Sequence, residues 1–96
     1  MRWIWDSEKA TLNFAKHRIT FPIASLVFHD PLNASKPDPH PDGDRWQTVG
    51  KVGPAVLFVV HTEPIAEAAE EATGRIISAR KATPHERRAY EQRRFE

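Results

Sequence analysis

No cysteine occurs among the 96 residues, which excludes a disulfide framework, a thiol nucleophile and a zinc knuckle. Long apolar runs are missing too: the longest, Ala55 to Val60, is too short to span a membrane. The opening M-R-W-I-W-D lacks the apolar core of a signal peptide, so a soluble cytoplasmic protein with no membrane association is expected. No internal repeat is visible. The formal net charge is only +1, so partners must be inferred from where the charges lie rather than from their sum. A chain of this length makes one domain, residues 1–96, with a single modest core.

The charge that is present is concentrated. Arg75, Arg80, Lys81, Arg87, Arg88, Arg93 and Arg94 face only Glu86 and Glu91 within one segment, a local excess of five positive charges. The segment reads as a strand running into a helix. Ile76, Ile77 and Ala79 give it the apolar, β-branched character of a strand packed on both faces. Thr83, Pro84 and Glu86 then predict a capping box with proline at the first helical position. A basic strand followed by a basic helix points to a polyanion.

Upstream, Trp3-Ile4-Trp5 reads as an edge strand or an apolar lead-in, and Asp6 as the N-cap of a helix to about His17. Ala10 and Phe14, with Leu12 and Ala15, are its expected inward residues. Pro22 opens a shorter helix burying Ile23, Leu26, Val27 and Phe28, which Asp30-Pro31 ends. A short strand is expected at Leu32 to Lys36, and the proline-rich Pro37 to Asp44 must be an exposed loop. Arg45 to Val52 alternates as a strand, Gly53-Pro54 turns the chain, and Ala55 to Thr62 is the apolar centre of the sheet. Glu63 to Gly74 reads as an acidic loop with helical character, and the closing helix as Pro84 to about Arg94. The expected architecture is α+β: two N-terminal helices, a four-stranded, mainly antiparallel sheet with helices on one side, and a C-terminal helix.

The motifs W-D-x-x-K-A-x-x-N (Trp5 to Asn13), K-H-x-I-x-F (Lys16 to Phe21) and V-F-x-D-P (Val27 to Pro31) follow one another in order. R-W-x-x-x-G (Arg45 to Gly50), V-V-H-T-E (Val59 to Glu63) and R-I-I-S-A-R-K-A-T-x-x-E-R-x-x-Y (Arg75 to Tyr90) complete the series. In these motifs the chain resembles the BrnT toxins of BrnT/BrnA type II toxin–antitoxin systems over nearly its whole length. The resemblance implies a RelE-like ribonuclease fold, RNA cleavage that arrests growth, and neutralisation by a BrnA-like antitoxin protein. It also implies that operator DNA is bound only through the antitoxin complex. The sequence departs from the family chiefly in the proline-rich Pro37 to Asp44 and the acidic Pro64 to Thr73.

Metal-independent RNA cleavage turns the 2′-hydroxyl on the adjacent phosphate. It needs a base, an acid and cations around the developing charge. Arg80 and Arg45 are the leading electrostatic candidates, because guanidinium forks match phosphate oxygens. Regular alternation would put Arg80 with Ile76 and Ser78, and Lys81 with Arg75 and Ala79 on the opposite face. Both faces cannot be catalytic. The bland alternative for Arg80 is a surface arginine paired with Glu63 or Glu91. His61 and Glu63, at i and i+2, complete the expected catalytic set as proton carrier and orienting or basic carboxylate. A lone strand-end histidine is otherwise a structural residue.

Lys81, Arg87, Tyr90, Arg75, Lys16 and His17 are the expected RNA-binding residues. Lys16 and His17 offer a weaker acid/base pair or simply a helix C-terminal cap. Tyr90 either stacks on a base or packs in the core with a wet hydroxyl, the preferred reading. Trp3, Trp5 and Trp46 are read as core, and Arg88, Arg93 and Arg94 as steering charges or antitoxin contacts. His40 with Asp38, Asp42 and Asp44 fits no metal-ligand spacing, so neither metal nor cofactor is expected. A non-catalytic nucleic-acid-binding module and a pure protein-interaction domain are the competing classes.

Overall fold

The computed structural model describes all residues, Met1–Glu96. In chain order the elements are β1 (Arg2–Ile4), α1 (Ser7–His17), α2 (Phe21–Ala24) and a 3-10 turn (Ser25–His29). They continue as β2 (Ala34–Pro37), β3 (Trp46–Val52), β4 (Ala55–His61), β5 (Thr73–Lys81) and α3 (Pro84–Glu91). The sheet has five strands, not the expected four, in the order β1-β5-β4-β3-β2. It is mixed, because β1 pairs parallel to β5 while the remaining neighbours are antiparallel. No helix is long and apolar enough to cross a membrane.

Local chemistry sets the boundaries. Asp6 caps α1 by accepting from the Lys9 N–H, and Thr20 caps α2 by accepting from Ile23. Asp30 accepts from the Leu32 N–H and Asn33 donates to the Asp30 carbonyl, so the chain turns before it can extend. β2 therefore starts at Ala34, later than expected, and runs onto Pro37, which a sheet-edge position tolerates. The acidic segment after β4 forms no helix. Ile65 and Thr73 bridge instead, extending the β4–β5 hairpin.

The capping box of α3 forms as its sequence predicts. The helix ends at Glu91, short of Arg94, because Arg93 enters the left-handed region and turns Phe95 back into the protein. That φ of 57° costs a non-glycine residue roughly 1–2 kcal/mol, an amount burial of Phe95 can offset.

Two apolar clusters lie on opposite faces of the sheet. Phe21, Ala24, Val27, Leu57, Val59, Ile76 and Ala79 form the first, beneath α1, α2 and the 3-10 turn. Val49, Val56, Phe58 and Phe95 form the second, joined by Ala89 and Tyr90 of α3. Helices therefore cover both faces, and the expectation of helices on one side is corrected. Gly50 allows the first layer to close: a Cβ there would sit 2.8 Å from Val27 Cβ and from its carbonyl oxygen. In α1 the inward residues are Ala10 and the buried Asn13, whereas Leu12 and Phe14 stay exposed. Ile23 and Leu26 are also more exposed than their sequence pattern suggested.

Candidate functional site

Which side chains share a face is decided by a β-bulge. Val60 pairs with Ser78 but His61 pairs with Ile76, so Ile77 is an extra residue and reverses the alternation upstream of it. Ile76 accordingly joins Ala79 beneath the helices, and the expected grouping of Ile76 with Arg80 is overturned. Arg75 is carried over to the face of Ser78 and Arg80.

Register then builds that second face row by row. Val49, Phe58 and Arg80 lie opposite one another, as do Gln47, Val60 and Ser78. Continuing the β3–β4 register sets Arg45 opposite Thr62, and Thr62 is bonded to Arg75 through its amide (2.9 Å) and its hydroxyl (2.9 Å). Three arginines, Arg45, Arg75 and Arg80, thus project from one sheet face. Strand spacings separate Arg45 from Arg75 by roughly 10 Å and Arg45 from Arg80 by roughly 16 Å.

Arg80 is the most constrained of the three. Its Nη1 and Nη2 donate to Glu86 Oε1 and Oε2 at 2.8 and 3.0 Å, and its guanidinium lies 4.1 Å from the Phe58 ring centroid. Glu86 also accepts from the Thr83 N–H, so the cap of α3 and the arginine share one carboxylate. Burial pushes that carboxyl up, but the Arg80 fork and the Thr83 amide lower it further, leaving it below its ordinary value. The partner is therefore Glu86, neither Glu63 nor Glu91. The side chain remains one-third exposed.

His61 and Glu63 are together, but not with the arginines. Both line a groove of about 210 Å³ with Ser35, Trp46 and Pro64, on the helix side of the strand ends. His61 is 4 % exposed, and Trp3 and Phe28 meet its ring edge-on. Its Nδ1 donates to the Thr62 carbonyl (2.7 Å), while Nε2 meets the Thr48 hydroxyl (2.6 Å). Desolvation depresses its pKa more than the Thr62 carbonyl and Asp44 raise it. A buried neutral imidazole with both nitrogens committed is no proton carrier for a bound substrate, and the expected role of His61 is corrected on that ground. Glu63 is exposed, and its own N–H is held by Asp44 (2.9 Å).

The remaining expected residues disperse. Lys81 and Arg87 line a separate shallow groove of about 270 Å³ beside the β3–β4 turn. Lys16 and His17 end α1 on the helix side. Tyr90 packs against the second core and donates its hydroxyl to Asp30. Burial and that carboxylate push the phenol up to about 12. Asp30 also accepts from the Lys51 N–H, so it joins the 3-10 turn, β3 and α3. Burial raises the Asp30 carboxyl, and the Tyr90, Lys51 and Leu32 donors more than reverse this. A surface depression of about 490 Å³ around Leu26, His29 and Lys51 holds none of the expected residues. No group of three or more His, Cys, Asp or Glu residues is placed to hold a metal ion.

Sequence reasoning missed Asn13, whose Nδ2 donates to the Ala79 and Ile19 carbonyls while Oδ1 accepts from the Ala79 N–H. Its signal was a polar residue three positions after the inward Ala10. The Ser35–Thr48–His61 chain had no signal in linear spacing. No curated protein sequence matches the chain. A family model does, over residues 5–86: the ribonuclease toxin BrnT of type II toxin–antitoxin systems. The matched span ends at Glu86, the residue that holds Arg80, and the chain belongs to the BrnT family of ribonuclease toxins.

Proposed function

We propose that this chain is a metal-independent endoribonuclease of RelE-like fold that acts on RNA at its arginine face, in the cytoplasm, and so arrests growth. Family membership together with three arginines on one partly open sheet face carries the reading. Arg80 is the central electrostatic residue: Glu86 and Phe58 fix its plane, and the guanidinium N–H groups left over point toward charge developing on the phosphorane. Arg45 and Arg75, across Thr62, hold flanking phosphates. Lys81, Arg87, Lys16 and His17 contribute long-range attraction from outside this face. A BrnA-like antitoxin protein neutralises the toxin by covering the arginine face, and operator DNA is reached only through that complex.

The test is purified protein on a defined single-stranded RNA in EDTA, with products examined for cyclic phosphate ends. Arg80→Lys keeps charge but loses the fork, and is expected to cut the rate by about 10²-fold or more with an unchanged circular dichroism spectrum. Intact RNA after long incubation with excess folded protein would sink the ribonuclease reading.

One observation favours a second reading, a non-catalytic RNA-binding module: neither expected proton carrier lies on the arginine face. It predicts binding that weakens steeply with salt and yields no products.

A further inference from the structure

The groove at the strand ends has a chemistry of its own. Trp46 is half-buried and, unlike Trp3 and Trp5, packs in neither apolar cluster. It lines the groove together with Ser35, His61, Glu63 and Pro64. The hydrogen-bond chain beneath fixes what Ser35 offers. The Thr62 carbonyl can only accept, so the His61 proton sits on Nδ1 and Nε2 must accept from Thr48. Thr48 Oγ1 in turn accepts from Ser35 Oγ at 2.6 Å. Ser35 has spent its proton inward and presents only lone pairs outward.

The groove therefore combines an aromatic residue with the acceptor oxygens of Ser35 and Glu63, and the Asp44 carboxylate nearby adds negative charge. Such a site repels phosphate and selects a planar group with adjacent N–H donors. Among the RNA bases only guanine sets a ring N–H beside an amino group, matching both oxygens of one carboxylate. Adenine and cytosine place an amino group beside a bare ring nitrogen, and uracil flanks its single N–H with two carbonyls. Trp46 follows Arg45 directly and Glu63 follows Thr62. A nucleotide whose phosphate rests on the Arg45–Thr62–Arg75 row can thus turn its base around the sheet end into the groove.

We infer that the groove of Ser35, Trp46, Glu63 and Pro64 is a base-recognition pocket for guanine, stacked on Trp46 and read by the Glu63 carboxylate. This rests on RNA being the substrate, as proposed above. Glu63 is then a specificity residue rather than the general base.

Binding of the four ribonucleoside monophosphates, followed by titration calorimetry and the Trp46 indole resonance, tests the pocket without requiring cleavage. Guanosine monophosphate is expected to bind at least about tenfold more tightly than the other three. Glu63→Gln is expected to abolish the preference. Trp46→Ala is expected to weaken binding by about tenfold or more, and Trp46→Phe to retain most of it. Equal affinity for all four, or a guanosine preference that survives Glu63→Gln, overturns the pocket. Guanosine-selective binding by a protein that never cleaves RNA upholds the pocket and removes the ribonuclease reading. Cleavage without any base preference does the reverse.

Discussion

The two faces of the sheet handle polar groups in opposite ways. Beneath α1, α2 and the 3-10 turn, polar side chains are buried and fully satisfied within the protein: Asn13 by Ala79 and Ile19, His61 by Thr48 and Thr62. On the arginine face, Arg80 is ordered by Glu86 yet one-third exposed, and Arg75 is exposed. A buried network whose donors and acceptors all match specifies packing, whereas a partly solvated cation held at its back is free to meet an anion. Location, more than residue type, thus separates the enclosed histidine from the partly open arginine.

That contrast is most exposed to test at Asn13. Two of its three hydrogen bonds tie α1 to Ala79 of β5, and the third holds the Ile19 carbonyl. Asn13→Ala leaves the Ala79 N–H and C=O buried without partners, at about 1–3 kcal/mol for each orphaned group. We expect a loss of roughly 3 kcal/mol in urea unfolding. RNA affinity per folded molecule should stay the same, since Asn13 lies on the helix side. A loss under about 0.5 kcal/mol would mean that water replaces the network, and the contrast between the faces would fail.

How far the sequence foresaw this arrangement depends on the range of the interaction involved. Caps were legible at Asp6 and at the Thr83–Glu86 box because both act within a few residues. Strands β3, β4 and β5 were legible from alternation and apolar runs. The parallel pairing of β1 was not, because three residues carry no register signal until Thr73 to Arg75 lies beside them. The site suffered most from a single residue. With Ile77 bulged out of register, alternation misassigned everything upstream of it in β5, and Arg75 changed faces. Arg80 was legible as a strand residue and Arg45 as lying at the start of β3, but the clamp on Arg80 could not be guessed, because Glu86 already had a local duty as a capping residue.

His61 offers a sharper and smaller effect. Its pKa in the folded protein is depressed below 6.5, so protonation favours the unfolded chain. Its contribution is fully present above that unfolded value and is lost as pH falls from there through the lower folded value. The slope is at most about 1.4 kcal/mol per pH unit. Urea unfolding between pH 8 and pH 5.5 should show this decline in the wild type and a flatter profile in His61→Gln. Glu86, also depressed, titrates only at lower pH, because its stabilisation is present above the unfolded 4.5 and lost below it. A wild-type profile that stays flat down to pH 5.5 would mean that folding does not disfavour protonation of His61, and that its burial beside Trp3 and Phe28 does not hold the ring neutral.

The weakest charge pair in the basic helix tests the contrast from the other side. Arg87 and Glu91 meet at 3.8 Å across one helical turn with both side chains more than half exposed. Solvent screens such a pair, so Glu91→Gln should change stability by no more than about 0.5 kcal/mol. RNA binding should respond more than folding does, because removing an exposed carboxylate frees Arg87 and deletes a repulsion toward phosphate. We expect modestly tighter binding at low ionic strength, with the gain fading as salt rises and screening shortens the reach of both charges. Unchanged binding at every salt concentration would exclude this end of α3 from the path of the RNA. The RNA path would then be confined to the face of Arg45, Arg75 and Arg80.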